Sequence, residues 1–143
     1  MKLLALTLLA PLVASVSALA APSSDTGSVT FHLSGFESDR GKAVCALFKE
    51  ADWLQKGKGM PRTATVLNGK AACAFASVPH GTYAFAAFHD EDGDGEFDKR
   101  LGLPAEDYCF SNHAVPKKLR PPTFDEAKFN HSKTHTHQSC ELR

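Results

Sequence analysis

The stretch Asp90-Glu91-Asp92-Gly93-Asp94-Gly95-Glu96-Phe97-Asp98 packs six carboxylic acids into nine residues, the densest charge in the chain. Carboxylates this crowded disfavour one another's ionisation. A hard divalent cation offsets that repulsion directly. Ca²⁺ takes roughly 6–8 oxygen ligands, and Asp at alternating positions of a tight loop supplies them. Asp90, Asp92 and Asp94 occupy positions 1, 3 and 5 of the D-x-D-x-D-G pattern. Gly95 occupies position 6, where the loop turns sharply, and Glu96 offers its backbone carbonyl at position 7. Asp98 stands at position 9, which often acts through water. The expected metal set is therefore Asp90, Asp92, Asp94, Glu96 and Asp98, with Ca²⁺ as the ion. Position 12 departs from the EF-hand pattern, because Leu101 replaces the bidentate Glu and the flanks do not read as helices. The last ligand is expected from elsewhere, with Glu106 and Asp107 as candidates. The competing reading is a solvated turn, since Asp-Gly pairs also mark ordinary hairpins.

Histidines form the second group of interest. His135 and His137 are two apart and share one face if the segment is a strand. Imidazole pairs hold Zn²⁺ or Cu²⁺, and His131 lies nearby. An exposed edge strand explains the same pattern without a metal. A small Zn-, Cu- or Fe-dependent enzyme using His89, His113 or these C-terminal histidines is the alternative function class. No G-x-S-x-G turn surrounds Ser111, and the spacing of Tyr83, Tyr108, His89 and His113 does not support an iron site. No catalytic residue is assigned.

The elements that position these residues read as short strands. Val29, Phe31 and Leu33 alternate with polar residues over Ser28–Ser34. Lys42–Phe48 is apolar on both faces and is expected at the centre of a sheet. Glu50–Gln55 allows one helical turn, with Trp53 capping one end of the core. Asn68-Gly69 between Arg62–Leu67 and Lys70–Ala76 is a strong hairpin signal, because a type I′ turn needs positive φ at both central residues. That turn pairs Leu67 with Lys70, Val66 with Ala71 and Ala64 with Cys73, placing Val66, Ala71, Cys73 and Phe75 on one face. After a turn at Val78–Gly81, Thr82–His89 is the apolar strand that delivers the acidic loop. Leu101–Pro122 reads as a long ordered loop packed through Leu103, Tyr108, Phe110 and Leu119. Phe124–Phe129 is a short helix or lead-in, and Thr134–Leu142 is the closing strand. Strands at this spacing indicate an all-β sandwich of about seven short strands.

Met1-Lys2, an apolar run to Val16 and Ala18-Leu19-Ala20 have the form of a secretory signal peptide over residues 1–20. The expectation is a secreted or periplasmic protein with a single domain over 21–143 and no membrane anchor after cleavage. Of the 16 basic residues, cleavage removes Lys2 and leaves 15 against 16 acidic ones, a formal charge of −1. That balance argues against a nucleic-acid partner, and Lys117-Lys118-Leu119-Arg120 reads as a solvated loop. The four cysteines, without any C-x-x-C, indicate two disulfides in an exported chain. Three pairings are possible, and Cys45–Cys73 with Cys109–Cys140 is the expected one. A monomer that presents a surface to a protein or glycan is the expected mode of action.

Three segments carry a resemblance. They are Gly81-Thr82-Tyr83-Ala84 through His89-Asp90-Glu91-Asp92-Gly93-Asp94-Gly95 to Asp98, Gly102-Leu103-Pro104 with Tyr108–Asn112, and Pro121-Pro122-Thr123-Phe124-Asp125-Glu126-Ala127. Together they resemble the exported bacterial family numbered 2141 among the domains of unknown function. The resemblance implies an immunoglobulin-like or transthyretin-like sandwich and no particular activity. Family members often carry Asn where this chain has Asp92 and Asp94. The His-rich end and the four cysteines are particular to this chain.

Overall fold

A computed structural model describes residues 25–143. The expected signal peptide, 1–20, lies outside the described residues. The chain forms a two-sheet sandwich with a small hairpin at one end. One sheet has the order β10-β1-β4, from His135–Glu141, Thr26–Ser34 and Lys70–Pro79. The other has the order β3-β2-β5-β8, from Met60–Thr65, Lys42–Phe48, Gly81–Asp90 and Tyr108–Phe110. β9 (Phe129–His131) extends this sheet along the start of β5. β6 (Lys99–Arg100) and β7 (Leu103–Pro104) make the separate hairpin. Eight strands thus build the sandwich, against about seven expected. The pairings are antiparallel except that β1 runs parallel to β10.

Alternation explains which side chains meet between the sheets. β1 points Val29, Phe31 and Leu33 inward, and β4 contributes Cys73, Phe75 and Val78. β2 supplies Ala43, Cys45 and Leu47, and β5 supplies Tyr83, Phe85 and Ala87. Phe31 stacks on Phe85 with ring centroids 3.8 Å apart, and Phe75 meets Phe85 edge-on. β2 lies between β3 and β5, as its two apolar faces require.

Both expected disulfides are present, and each crosses from one sheet to the other. Cys45 on β2 joins Cys73 on β4, and Cys109 on β8 joins Cys140 on β10. The described residues contain no free cysteine.

Three expectations change. The Asn68-Gly69 turn forms, with φ of 52° and 71° and two hydrogen bonds between Leu67 and Lys70. The pairing stops there. Ala64 pairs with Ala43 on β2, and Cys73 pairs with Phe31 on β1. The turn joins the two sheets instead of closing a ladder, because Cys73 must face Cys45 across the interior. Val66, Cys73 and Phe75 are nevertheless buried, as the face assignment requires. Leu103 and Leu119 do not anchor the loop after Asp98, being 53% and 91% exposed. That segment is fixed instead by Cys109 and by the half-buried Tyr108 and Phe110. Trp53 covers a second small cluster of Ala84, Phe124 and Ala127 outside the main core. Its indole N–H donates to the Pro122 carbonyl at 2.9 Å.

The short helix α1 (Phe124–Ala127) has a capping box between Thr123 and Glu126. Lys117 and Arg120 bind the Glu126 carboxylate at 2.8 and 3.0 Å. The small basic cluster is thereby turned inward onto its own helix cap. Arg120, Lys117 and the Thr123 N–H hold the Glu126 carboxyl well below the usual carboxylate range.

Replacing Cys45 and Cys73 together by Ala should lower unfolding stability by roughly 2–4 kcal/mol, since the cross-link mainly restricts the unfolded chain. Denaturant melts measure this. Proteolytic mapping of the unreduced protein should recover Cys45 linked to Cys73 and Cys109 linked to Cys140. Any other linkage contradicts the inter-sheet arrangement.

Candidate metal centre

β5 pairs with β2 so that Asp90, its last residue, stands opposite Lys42. Asp90 is fully buried. Its Oδ1 accepts the Gly93 N–H at 2.8 Å and its Oδ2 accepts the Gly95 N–H at 3.0 Å. Lys42 Nζ lies 3.6 Å from the same carboxylate. The loop curls around this one side chain, with Gly93 and Gly95 at φ of 81° and 80°, a conformation that favours glycine. Asp92 accepts the Asp94 N–H at 3.1 Å, and Asp94 accepts the Glu96 N–H at 2.7 Å. These local side-chain-to-backbone turns are what Asp does readily at i to i+2.

The result is convergence. Asp90, Asp92 and Asp94 each offer one carboxylate oxygen, and the three lie within 4.8 Å of one another. Oxygens bound to one Ca²⁺ at about 2.3–2.6 Å can be no more than about 5 Å apart, so this spacing suits a single ion. The other two expected positions, Glu96 and Asp98, lie further along the loop. Glu96 extends its carboxylate to Lys56 Nζ at 2.7 Å. Asp98 is tied through its backbone, its N–H donating to Glu106 Oε2 at 3.1 Å and its carbonyl accepting from Ala105.

Of the two candidates for the last ligand, Glu106 stands at the loop. Burial pushes its carboxyl above the usual carboxylate range; the Asp98 N–H opposes this, and the charges of Asp98 and Asp90 add to the rise. Asp107 contributes its carbonyl to the His89 N–H at 2.9 Å.

The turn before β2 packs against the root of the loop. A Cβ at Gly41 would lie 2.0 Å from the Asp90 carbonyl, so only glycine fits there without movement. Ser38 donates to Glu91 at 2.5 Å, and Asp39 accepts the N–H groups of Asn68 and Gly69 at 2.8 and 2.9 Å. Sequence reading missed these supports because they join residues 29 to 53 positions apart.

Four of the residues considered for catalysis, Ser111, His89, His131 and Tyr83, have structural tasks. Ser111 Oγ is fully buried, accepts the Phe85 N–H at 2.8 Å and donates to the Ala127 carbonyl at 2.6 Å. His89 is buried, with Nε2 2.7 Å from the Arg40 carbonyl. Buried His131 bonds Thr136 and the Val78 carbonyl. The Tyr83 hydroxyl donates to the Pro79 carbonyl. His113 is exposed on a separate segment.

Fold and site together define a disulfide-stapled all-β sandwich with an acidic end loop in which the carboxylates of Asp90, Asp92 and Asp94 converge. Residues 31–139 match the family described as an uncharacterized protein conserved in bacteria, the domain of unknown function numbered 2141. The chain belongs to that family. No curated protein and no solved structure matches it.

Two outcomes follow for the metal-free protein. Asp90→Ala should destabilise it by roughly 1–3 kcal/mol, because two N–H groups and Lys42 lose a charged partner. Relief of like-charge repulsion within the loop is outweighed at this buried position. Glu106→Gln should act oppositely. A carboxyl whose folded pKa is raised contributes stability below its unfolded pKa and loses it as pH rises through the folded value. In chelator at neutral pH, Glu106→Gln should therefore melt above wild type, and the gap should close as pH falls below the carboxylate range. A lower melting temperature for Glu106→Gln at neutral pH would contradict the assignment.

Proposed function

We propose that this protein is an exported binding or structural module whose Asp90–Asp98 loop is fixed by Ca²⁺. The observation that carries the reading is the convergence of Asp90, Asp92 and Asp94, with Glu106 beside them. Asp90, Asp92 and Asp94 would hold the ion through carboxylates, Glu96 through its backbone carbonyl and Asp98 through water. Glu106 is the candidate for the remaining position. Export is supported by the signal-like N-terminus and by two disulfides, which persist in oxidising compartments. Among the described residues no helix is long and apolar enough to cross a membrane. A module is favoured over an enzyme built on His89 or Ser111, because the His89 imidazole and the Ser111 hydroxyl are engaged with backbone carbonyls. The partner surface, protein or glycan, would meet the metal loop and the adjoining hairpin, where Leu101 is 99% exposed.

Thermal melts with millimolar Ca²⁺ and with chelator test this. Binding the folded state alone adds about 2.7 kcal/mol at a hundredfold excess over Kd. Leu101 at the position of the bidentate Glu implies a Kd of roughly 10⁻⁵ to 10⁻³ M, the range from weaker sensor sites to extracellular modules. Mg²⁺ should substitute poorly, since it demands near-ideal octahedral geometry. Asp94→Ala should remove the Ca²⁺-dependent rise. Equal melting temperatures for wild type in both conditions would make the loop a solvated turn.

A further inference from the structure

The outer face of the three-stranded sheet carries a group that the acidic loop does not involve. β1 and β10 run parallel with Thr30 opposite His137 and His32 opposite Ser139. His32 and His137 are therefore diagonal neighbours on one face, and both are exposed. His32 Nε2 lies 3.3 Å from His137 Nδ1, with the rings 12° from parallel. His135 shares the face, two residues along β10, and its Nδ1 is held by Ser28 Oγ at 2.8 Å. On the other side of β1, Ala72 and Ala74 of β4 stand opposite His32 and Thr30, so the ground beside the pair is low and open.

We infer that His32 and His137 form a transition-metal site, with Zn²⁺ or a similar borderline divalent cation bridging the two facing ring nitrogens. The argument is geometric. Zn–N distances are about 2.0–2.1 Å in tetrahedral sites, which sets two bound nitrogens roughly 3.3–3.4 Å apart. The observed 3.3 Å matches that bite. The same separation also serves a ring-to-ring hydrogen bond. In that state one facing nitrogen carries a proton, and binding requires the proton to move to the far nitrogen of its ring, leaving a lone pair on each side. The remaining positions go to water, since His135 is held by Ser28 and does not converge with the pair. Hard Ca²⁺ prefers oxygen, and imidazole suits Zn²⁺, Cu²⁺ and Ni²⁺, so the two metal sites select different ions. The sequence pairs His135 with His137 by spacing; the parallel β1–β10 register brings in His32, 105 residues away from its partner.

Titration of the full mature protein with ZnCl₂ by calorimetry, in millimolar Ca²⁺ to occupy the acidic loop, tests the site. One equivalent of Zn²⁺ should bind to wild type and to Asp94→Ala. His32→Ala and His137→Ala should each weaken binding by at least about tenfold. Substitution with Co²⁺ should give the intense visible absorption of a tetrahedral centre in wild type and lose it in His32→Ala. Unchanged Zn²⁺ affinity in His32→Ala, or no binding to wild type, would overturn the site. Loss of Zn²⁺ in Asp94→Ala with retention in His32→Ala would overturn it too, by locating the ion in the acidic loop.

Discussion

The structure depends on holding two sheets face to face across a thin interior. Stacking of Phe31 on Phe85 fills the middle of that space, and one disulfide from each half of the chain spans it. Several inward positions are small, including Ala43 on β2 and Ala87 on β5. Small side chains bury little apolar area, and burial contributes only about 25 cal/mol per Å². A sandwich with this filling gains from cross-links that restrict its unfolded chain. Each bridge joins strands of different sheets, so the bridges fix the distance between the sheets, which ladder hydrogen bonds within a sheet do not.

A second device recurs at the turns. An acidic side chain accepts backbone N–H groups that have no strand partner. Asp39 does this for Asn68 and Gly69, Asp90 for Gly93 and Gly95, Glu106 for Asp98 and Glu126 for Thr123. The N–H groups of Gly69 and Asn68 hold the exposed Asp39 carboxyl below its ordinary range. Hydrogen bonds to a charged acceptor are stronger than neutral ones, so a few carboxylates organise turns that the small core does not reach. Much of the chain's acidity is thus internal scaffolding, and the basic segment 117–120 is partly consumed by Glu126.

Where the information was local, the sequence was legible. Strand alternation, the type I′ turn at Asn68-Gly69 and the Asp spacing of the loop depend on neighbours, and each is found in the structure. The cysteine pairing expected from position along the chain is also found. What escaped was information about partners. A tight turn implies a continuing hairpin only if both strands stay in one sheet. Here the need to bring Cys73 over Cys45 sends β4 to β1 and leaves β3 with β2. Leu103 and Leu119 suggest anchors by composition, yet Leu103 lies on the small β6–β7 hairpin and Leu119 in a turn, and both are exposed. Glu106 was one of two candidates by proximity, and only the fold of β7 and β8 against the loop separates it from Asp107. His32 carried no local signal, because its neighbour His137 arrives through a parallel pairing of the first and last strands.

An acidic loop already ordered by its own backbone does not compete with a metal for the same electrons. Each ionised carboxylate oxygen carries two lone pairs, so Asp90 can accept the Gly93 and Gly95 N–H groups and still direct a lone pair at a cation. The N–H bonds fix the direction of the carboxylates, which lowers the ordering that binding would otherwise require. They do not remove the charge. Lys42 lies 3.6 Å from Asp90 and Lys56 pairs with Glu96 at the outer edge. No ion pair among the described residues reaches Asp92 or Asp94. Lysine on a flexible stem serves the rim, where solvent screens the interaction. The middle of the loop, where three oxygens converge, has no protein cation beyond Lys42 at its edge. A dication placed there would meet three carboxylate oxygens within 4.8 Å of one another, two of those carboxylates being free of any ion pair among the described residues.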